Sequence, residues 1–176
     1  MPKKKDSIEK KSTQDITVWS DSELKKIIEN LGENRIRLLI ILAANTGCRI
    51  GELLGLEYSD IRNGKLYIDK QLSSEAKIEA GEKKTREFEI SEPKTSSSIR
   101  NIPLSEKTLI EVERHKAWHK KEMLANGYRT EYIFTTQSGK FYDRHNINRA
   151  CKRYYKSIGV KFQSLHTYRH TFCTNL

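Results

Sequence analysis

Seven consecutive apolar residues, Leu38 to Ala44, do most to limit what this chain can become. At 3.6 residues per turn, such a run leaves no side of a helix for water. The helix must therefore sit in the middle of a folded domain, with other elements around it. The run is far short of the ~20 residues that a membrane-spanning helix needs. Gly47 follows where a left-handed turn can end the helix, which is expected over Glu33 to Thr46. At 176 residues the chain is long enough for one domain around such a core.

Amphipathic helices should surround it. Ser20 with Glu23 forms a capping box, predicting a helix from Asp21 to about Leu31. A short helix should follow at Ile50 to Gly55. Ser105 can cap a long helix ending near Asn126, with Gly127 after it. Asp143 should cap a helix to Ile158, with Ile147, Cys151, Tyr154 and Ile158 as its buried stripe. Ser164 should cap a last helix, with Leu165, Tyr168, Phe172 and Leu176 buried. After the Asn63-Gly64 turn, Lys65 to Asp69 alternates like a strand. Glu87 to Ile90 and Ser98 to Ile102 read as two more strands. The polar residues 71–85 should form a long, mobile hairpin arm. The fold class expected is α+β, mainly α, with a small three-stranded antiparallel sheet. Residues 1–15 are polar and lysine-rich and read as a disordered arm or linker, leaving 16–176 as the domain.

Lys and Arg number 33 against 23 Asp and Glu, a formal net charge of +10. That excess points to a polyanionic partner, of which double-stranded DNA is the common case. The start, MPKKKDSIEKKS, lacks the apolar stretch of a signal peptide, so a cytoplasmic location is expected. Three cysteines without a pairing pattern argue against a disulfide framework, and all three read as packed, reduced thiols.

Three segments could carry chemistry. In SLHTYRHTFCTNL, His166, Arg169, His170 and Cys173 share one face of the last helix. An arginine fork beside an imidazole suits an oxyanion, although on spacing alone a solvated polar face is the commoner outcome. In NTGCRIGELLGL, Arg49 stands at the end of the buried helix and Glu52, three residues on, could orient it. In EPKTSSSIRNIP, Lys94 occupies a turn between two expected strands. Alone, it is one lysine among many.

Taken in order, TGCRIGELLGLEYSDI, PKTSSSIRNIPL and HTYRHTFCTNL resemble the catalytic domain of tyrosine recombinases of the phage-integrase family, and ITVWSDSEL resembles its lead-in. The resemblance runs from about residue 16 to the end. It implies site-specific DNA recombination or integration, in which a tyrosine attacks a phosphodiester and a 3′-phosphotyrosyl bond forms as a 5′-hydroxyl leaves. No metal or other cofactor is implied. Arg49 and Arg169 would hold the non-bridging oxygens, Lys94 would protonate the leaving oxygen and His166 would assist proton transfer. Glu52 and His170 would support them. The family's nucleophilic tyrosine lies well beyond the HTYRH motif, and none of the eight tyrosines here matches it. The expectation is a truncated domain that does not cleave alone. The resemblance further implies a mobile element or phage as host, and a tetramer on DNA for the full-length protein; a monomer is expected for this fragment.

Two further groups carry a pattern of their own. Arg149, Lys152, Arg153 and Lys156 form the basic side of the helix after Asp143, a candidate surface for tracking phosphates. His115 and His119 have a spacing that can bind zinc, but they lie among cations in RHKAWHKK with no further ligand evident, so no metal site is expected. The alternative function is a module that occupies recombination sites without cutting.

Overall fold

The computed structural model describes residues 18–77, 85–93 and 98–174. The arm expected over 1–15, Lys94 and Leu176 lie outside the described residues. Among the described residues there are six α-helices: α1 (Asp21–Asn30), α2 (Arg37–Thr46), α3 (Ile50–Leu54), α4 (Glu106–Asn126), α5 (Arg144–Ser157) and α6 (His166–Thr174). The all-apolar segment takes its expected place. Leu38 to Ala43 are buried, and α2 packs against α1, α3, α4 and α6.

Local chemistry sets most boundaries. At α1, Ser20 Oγ accepts the Glu23 amide at 3.3 Å while the Glu23 carboxylate accepts the Ser20 amide at 3.0 Å. Helix α2 begins at Arg37, four residues later than expected. Asn34 Oδ1 accepts the Ile36 amide and Asn34 Nδ2 donates to the Gly32 carbonyl, and these local bonds compete with a helical start. Gly47 ends α2 at φ 58°, in the left-handed region. Ser105 and Asp143 cap α4 and α5 through side-chain acceptors.

The strands differ from the expected single sheet. β1 (Ile61–Arg62), β2 (Lys65–Ile68) and β5 (Arg100–Pro103) form an antiparallel three-stranded sheet in the order β1-β2-β5. Asn63 (φ 52°) and Gly64 (φ 69°) join β1 to β2 with the two left-handed residues of a type I′ hairpin, so the turn brings its own partner strand. The expected strand 87–90 belongs elsewhere. β4 (Thr85–Ser91) pairs with β3 (Gln71–Lys77) in a separate antiparallel ribbon, from Gln71 opposite Ser91 to Lys77 opposite Thr85. The polar run from residue 71 is thus strand: its backbone bonds to β4, and Leu72 is buried in the core.

This ribbon lies on α3. A Cβ on Gly55 would come within 3.0 Å of the Leu72 amide nitrogen, so the close approach needs glycine there. At the other end of the ribbon, Arg86 Nε pairs with Asp143 Oδ2 at 2.9 Å, tying β4 to the cap of α5.

The last two helices close the core around Trp19, whose ring meets Tyr155 at 5.5 Å and Tyr168 at 5.7 Å. The Trp19 amide donates to Thr171 Oγ1 at 2.8 Å, so the lead-in is stitched to α6. The buried side of α5 is Ile147, Cys151 and Tyr155, with Tyr154 and Ile158 only partly covered. Tyr154 sits at the rim because its hydroxyl donates to the Ile27 carbonyl at 2.7 Å. On α6, Tyr168 is buried together with Thr167 and Thr171, while Phe172 is half-buried.

Candidate functional site

The site grows from the turn after α2. Gly47 reverses the chain, and Arg49 becomes the residue that caps α3. Its backbone amide donates to Glu52 Oε2 at 2.7 Å, and its Nη1 donates to Glu52 Oε1 at 3.0 Å. Glu52 is 1% exposed and Arg49 49%, so a buried carboxylate holds an arginine that faces solvent.

A residue that sequence reasoning missed completes this grip. Arg100, at the start of β5, donates from Nη1 to Glu52 Oε1 (3.1 Å) and from Nη2 to Oε2 (2.8 Å). Its Nη1 also reaches the Ser98 carbonyl at 2.9 Å, and its Nη2 lies 3.5 Å from Cys48 Sγ. A signal for it existed. Arg100 alternates with Ile102 on the more covered side of β5, and a charge on the inner face of a strand needs a partner. Burial works to raise the Glu52 carboxyl, but hydrogen bonds from Arg100 and from the Arg49 amide, with the nearby positive charge, hold it below the ordinary carboxylate range. The Cys48 thiol beside them is pushed up by burial, so it stays protonated.

Helix α6 reaches the same turn. Arg169 Nη1 donates to the Gly47 carbonyl at 2.8 Å, two residues before Arg49. His166, one turn earlier on α6, is exposed as a residue, and its ring meets that of His170 edge-on at 4.6 Å. Partial burial of the ring, then the neighbouring His170 and the positive charge of Arg169 and Arg49, lower its affinity for a proton. Neutral His166 can accept a proton at ordinary pH. Arg49, Glu52, His166, Arg169 and His170 are therefore brought together at the Gly47 turn. Lys94, in the connection between β4 and β5, is outside the described residues.

The basic residues of α5 form a different surface. Arg149, Lys152, Arg153 and Lys156 are all exposed, with the Arg149 guanidinium held by Asn146 Oδ1. Arg144, at the first position of α5, links the two regions. Its Nη2 would be 2.8 Å from a Cβ on Gly51, beside Glu52 in α3. One expectation needs correction. Cys173 is exposed rather than packed, because it lies on the polar side of α6, while Cys48 and Cys151 are buried. His115 and His119 are engaged inside the fold: both Nδ1 atoms contact the Tyr58 hydroxyl, at 3.0 and 3.1 Å, and His119 Nε2 meets the Tyr128 hydroxyl at 3.2 Å.

Comparison with known proteins agrees with this architecture. The family model described as phage integrase family matches residues 18–176. A tyrosine recombinase XerC-like protein of Caldanaerobacter subterraneus subsp. tengcongensis is 34% identical over 176 residues, covering 96% of this chain and 45% of that protein. The ICEBs1 integrase of Bacillus subtilis is 28% identical over 159 residues, covering 87% of this chain and 41% of its own length. Among solved structures, the integrase of transposon Tn1549 in complex with transposon right-end DNA superposes with a TM-score of 0.70 at 22% identity, over 94% of this chain and 54% of that one. XerA recombinase gives a TM-score of 0.62 at 21% identity, over 90% of this chain and 49% of that one. The chain belongs to the phage integrase family, with the fold of a tyrosine-recombinase catalytic domain. It spans about half the length of these relatives. No helix among the described residues is long and apolar enough to cross a membrane.

Proposed function

We propose that this chain supplies the phosphate-holding part of a DNA strand-exchange centre, and that the whole protein carries out site-specific recombination through a 3′-phosphotyrosyl intermediate. The observation that carries the reading is the meeting of Arg49, Arg169 and neutral His166 at the Gly47 turn. Arg49 gives Glu52 one nitrogen of its guanidinium and Arg169 gives Gly47 one, so both forks keep donors for non-bridging phosphate oxygens.

In this reading a tyrosine oxygen attacks phosphorus as the bond to the 5′-oxygen breaks. His166 takes up the tyrosine proton, Lys94 donates one to the leaving oxygen, and the arginines stabilise charge on the phosphorane. His170 and Glu52 hold His166 and Arg49 in place. Arg149, Lys152, Arg153 and Lys156 track the backbone of double-stranded DNA and add affinity without choosing sequence. The full-length protein assembles as a tetramer on DNA, while this chain by itself is a monomer in the cytoplasm.

A second reading, occupation of recombination DNA without cutting, is favoured by five of the eight tyrosines. The hydroxyls of Tyr58, Tyr128, Tyr154, Tyr155 and Tyr168 all have partners inside the fold. Incubation with a nicked duplex, followed by denaturing electrophoresis, separates the two. The first reading expects a covalent protein–DNA adduct from the intact recombinase and none from residues 1–176 alone. Duplex binding with no adduct from any form of the protein establishes the second.

A further inference from the structure

Glu52 holds two arginines, and the division between them is unequal. A carboxylate offers about four lone-pair positions. Here they receive four donors: the Arg49 amide, Arg49 Nη1, and both terminal nitrogens of Arg100. Arg100 takes the planar, two-nitrogen arrangement, the stronger and more directional of the two. Arg49 is left with one side-chain nitrogen on the carboxylate, although it is the residue nearer in sequence and caps the same short helix.

We propose that Arg100 is a positioning residue for Arg49: by filling the forked edge of Glu52, it stops Arg49 from folding onto that carboxylate and keeps the Arg49 guanidinium turned out to phosphate. The inference rests on the phosphate-site reading above and deepens it.

Two physical effects act in the same direction. The first is geometric. With Arg100 removed, Glu52 would have two lone-pair positions open in a nearly dry setting, and such a group takes the closest donor available. That donor is Arg49, whose second terminal nitrogen would then turn inward. The second effect is charge. One carboxylate against two guanidinium groups leaves a net +1 on the trio, whereas an Arg49–Glu52 pair alone is neutral. Arg100 thus also preserves the attraction of the site for an anion. Its own place is over-determined by the Ser98 carbonyl, by Cys48 Sγ and by its strand, so it holds still while Arg49, on a solvent-facing turn, is set by it.

The probe is inorganic phosphate, titrated into the 176-residue chain while the side-chain Nε–H signals of Arg49 and Arg169 are followed by NMR. In the wild type both signals are expected to move. In Arg100→Gln the Arg49 response is expected to disappear while that of Arg169 persists, with affinity for phosphate falling roughly ten-fold, as for one lost charge-assisted bond. Arg100→Lys restores charge without the fork, and an intermediate Arg49 response is expected. It also decides the matter if Arg100→Gln does not fold. A wild-type Arg49 response in a folded Arg100→Gln, or in Arg100→Lys where Gln does not fold, overturns the inference and leaves the phosphate site standing. If Arg49→Ala itself leaves phosphate affinity unchanged, the site reading fails and the inference fails with it.

Discussion

The polar clusters around Glu52 and around Tyr58 are finished in opposite ways. Around Glu52, one carboxylate serves two arginines, a third arginine joins through the Gly47 carbonyl, and donors are left over at the surface. Around Tyr58, the hydroxyl serves both histidines and His119 is held at both ring nitrogens. If the Tyr58 hydroxyl donates to one histidine Nδ1, it accepts from the Nδ1–H of the other, and both rings stay neutral. His119 Nε2 is met by Tyr128 and by Thr135 Oγ1 at 3.3 Å. A cluster with balanced donors and acceptors holds elements together. A cluster with surplus donors at its open side is built to receive something. The difference sets the histidine pair apart from the arginine pair more sharply than residue type or spacing does.

The largest effect that would break this contrast comes from Glu52. Glu52→Ala leaves two arginines beside each other with no shared counter-ion. Loss of one partner from a buried ion pair costs about 3–5 kcal/mol, and the partial exposure of both arginines favours the lower end. Chemical denaturation of the variant measures it. A loss no larger than that of a surface substitution would mean that the carboxylate does not organise the site.

The Tyr58 cluster should respond to acid instead. Burial, the neighbouring His119 and then Arg35 lower His115 to about 3, and burial and Arg35 lower His119. Unfolded, both would titrate near 6.5. Their contribution to stability is therefore whole above pH 6.5 and is lost as the pH falls from there toward about 3, where folded His115 itself takes up a proton. Each group adds up to about 1.4 kcal/mol per pH unit within its window. Thermal melts between pH 7 and pH 4 should show the slope, and His115→Gln should flatten it. An unchanged slope in that variant would place the acid sensitivity elsewhere.

How far these regions could be read from sequence differs too. Features that depend on a few adjacent residues were legible: the Ser20–Glu23 capping box, the Asn63-Gly64 turn, the left-handed Gly47 and the enclosed α2. Arg49, Glu52, His166 and Arg169 stood out because each stands inside a recognisable motif. What periodicity does not contain is the identity of a partner. It marked 87–90 as strand but did not say that β3 would pair with it rather than β2. It placed Tyr154 on the buried stripe of α5, whereas Trp19 selects Tyr155, over a hundred residues away in the chain. Arg100 escaped for the same reason, since its importance lies in a carboxylate 48 positions earlier.

The smallest effect belongs to α5. Lys152→Ala with Arg153→Ala should leave stability within about 0.5 kcal/mol, as is usual for exposed positions. It should lower the slope of log affinity against log salt for duplex DNA by about 0.9 for each phosphate that is no longer neutralised. An unchanged slope would remove α5 from the DNA surface and leave anion binding to the Gly47 turn.

The most direct test of the central claim is strand cleavage by the intact recombinase carrying Arg49→Ala or Arg169→Ala, at matched DNA occupancy. Each variant is predicted to remain folded, still bind duplex, and cleave about 10²–10³ more slowly, the usual cost of removing a donor that stabilises developing charge. Cleavage at the wild-type rate by either variant would contradict the claim, because the Gly47 turn would then not be where the phosphate is held.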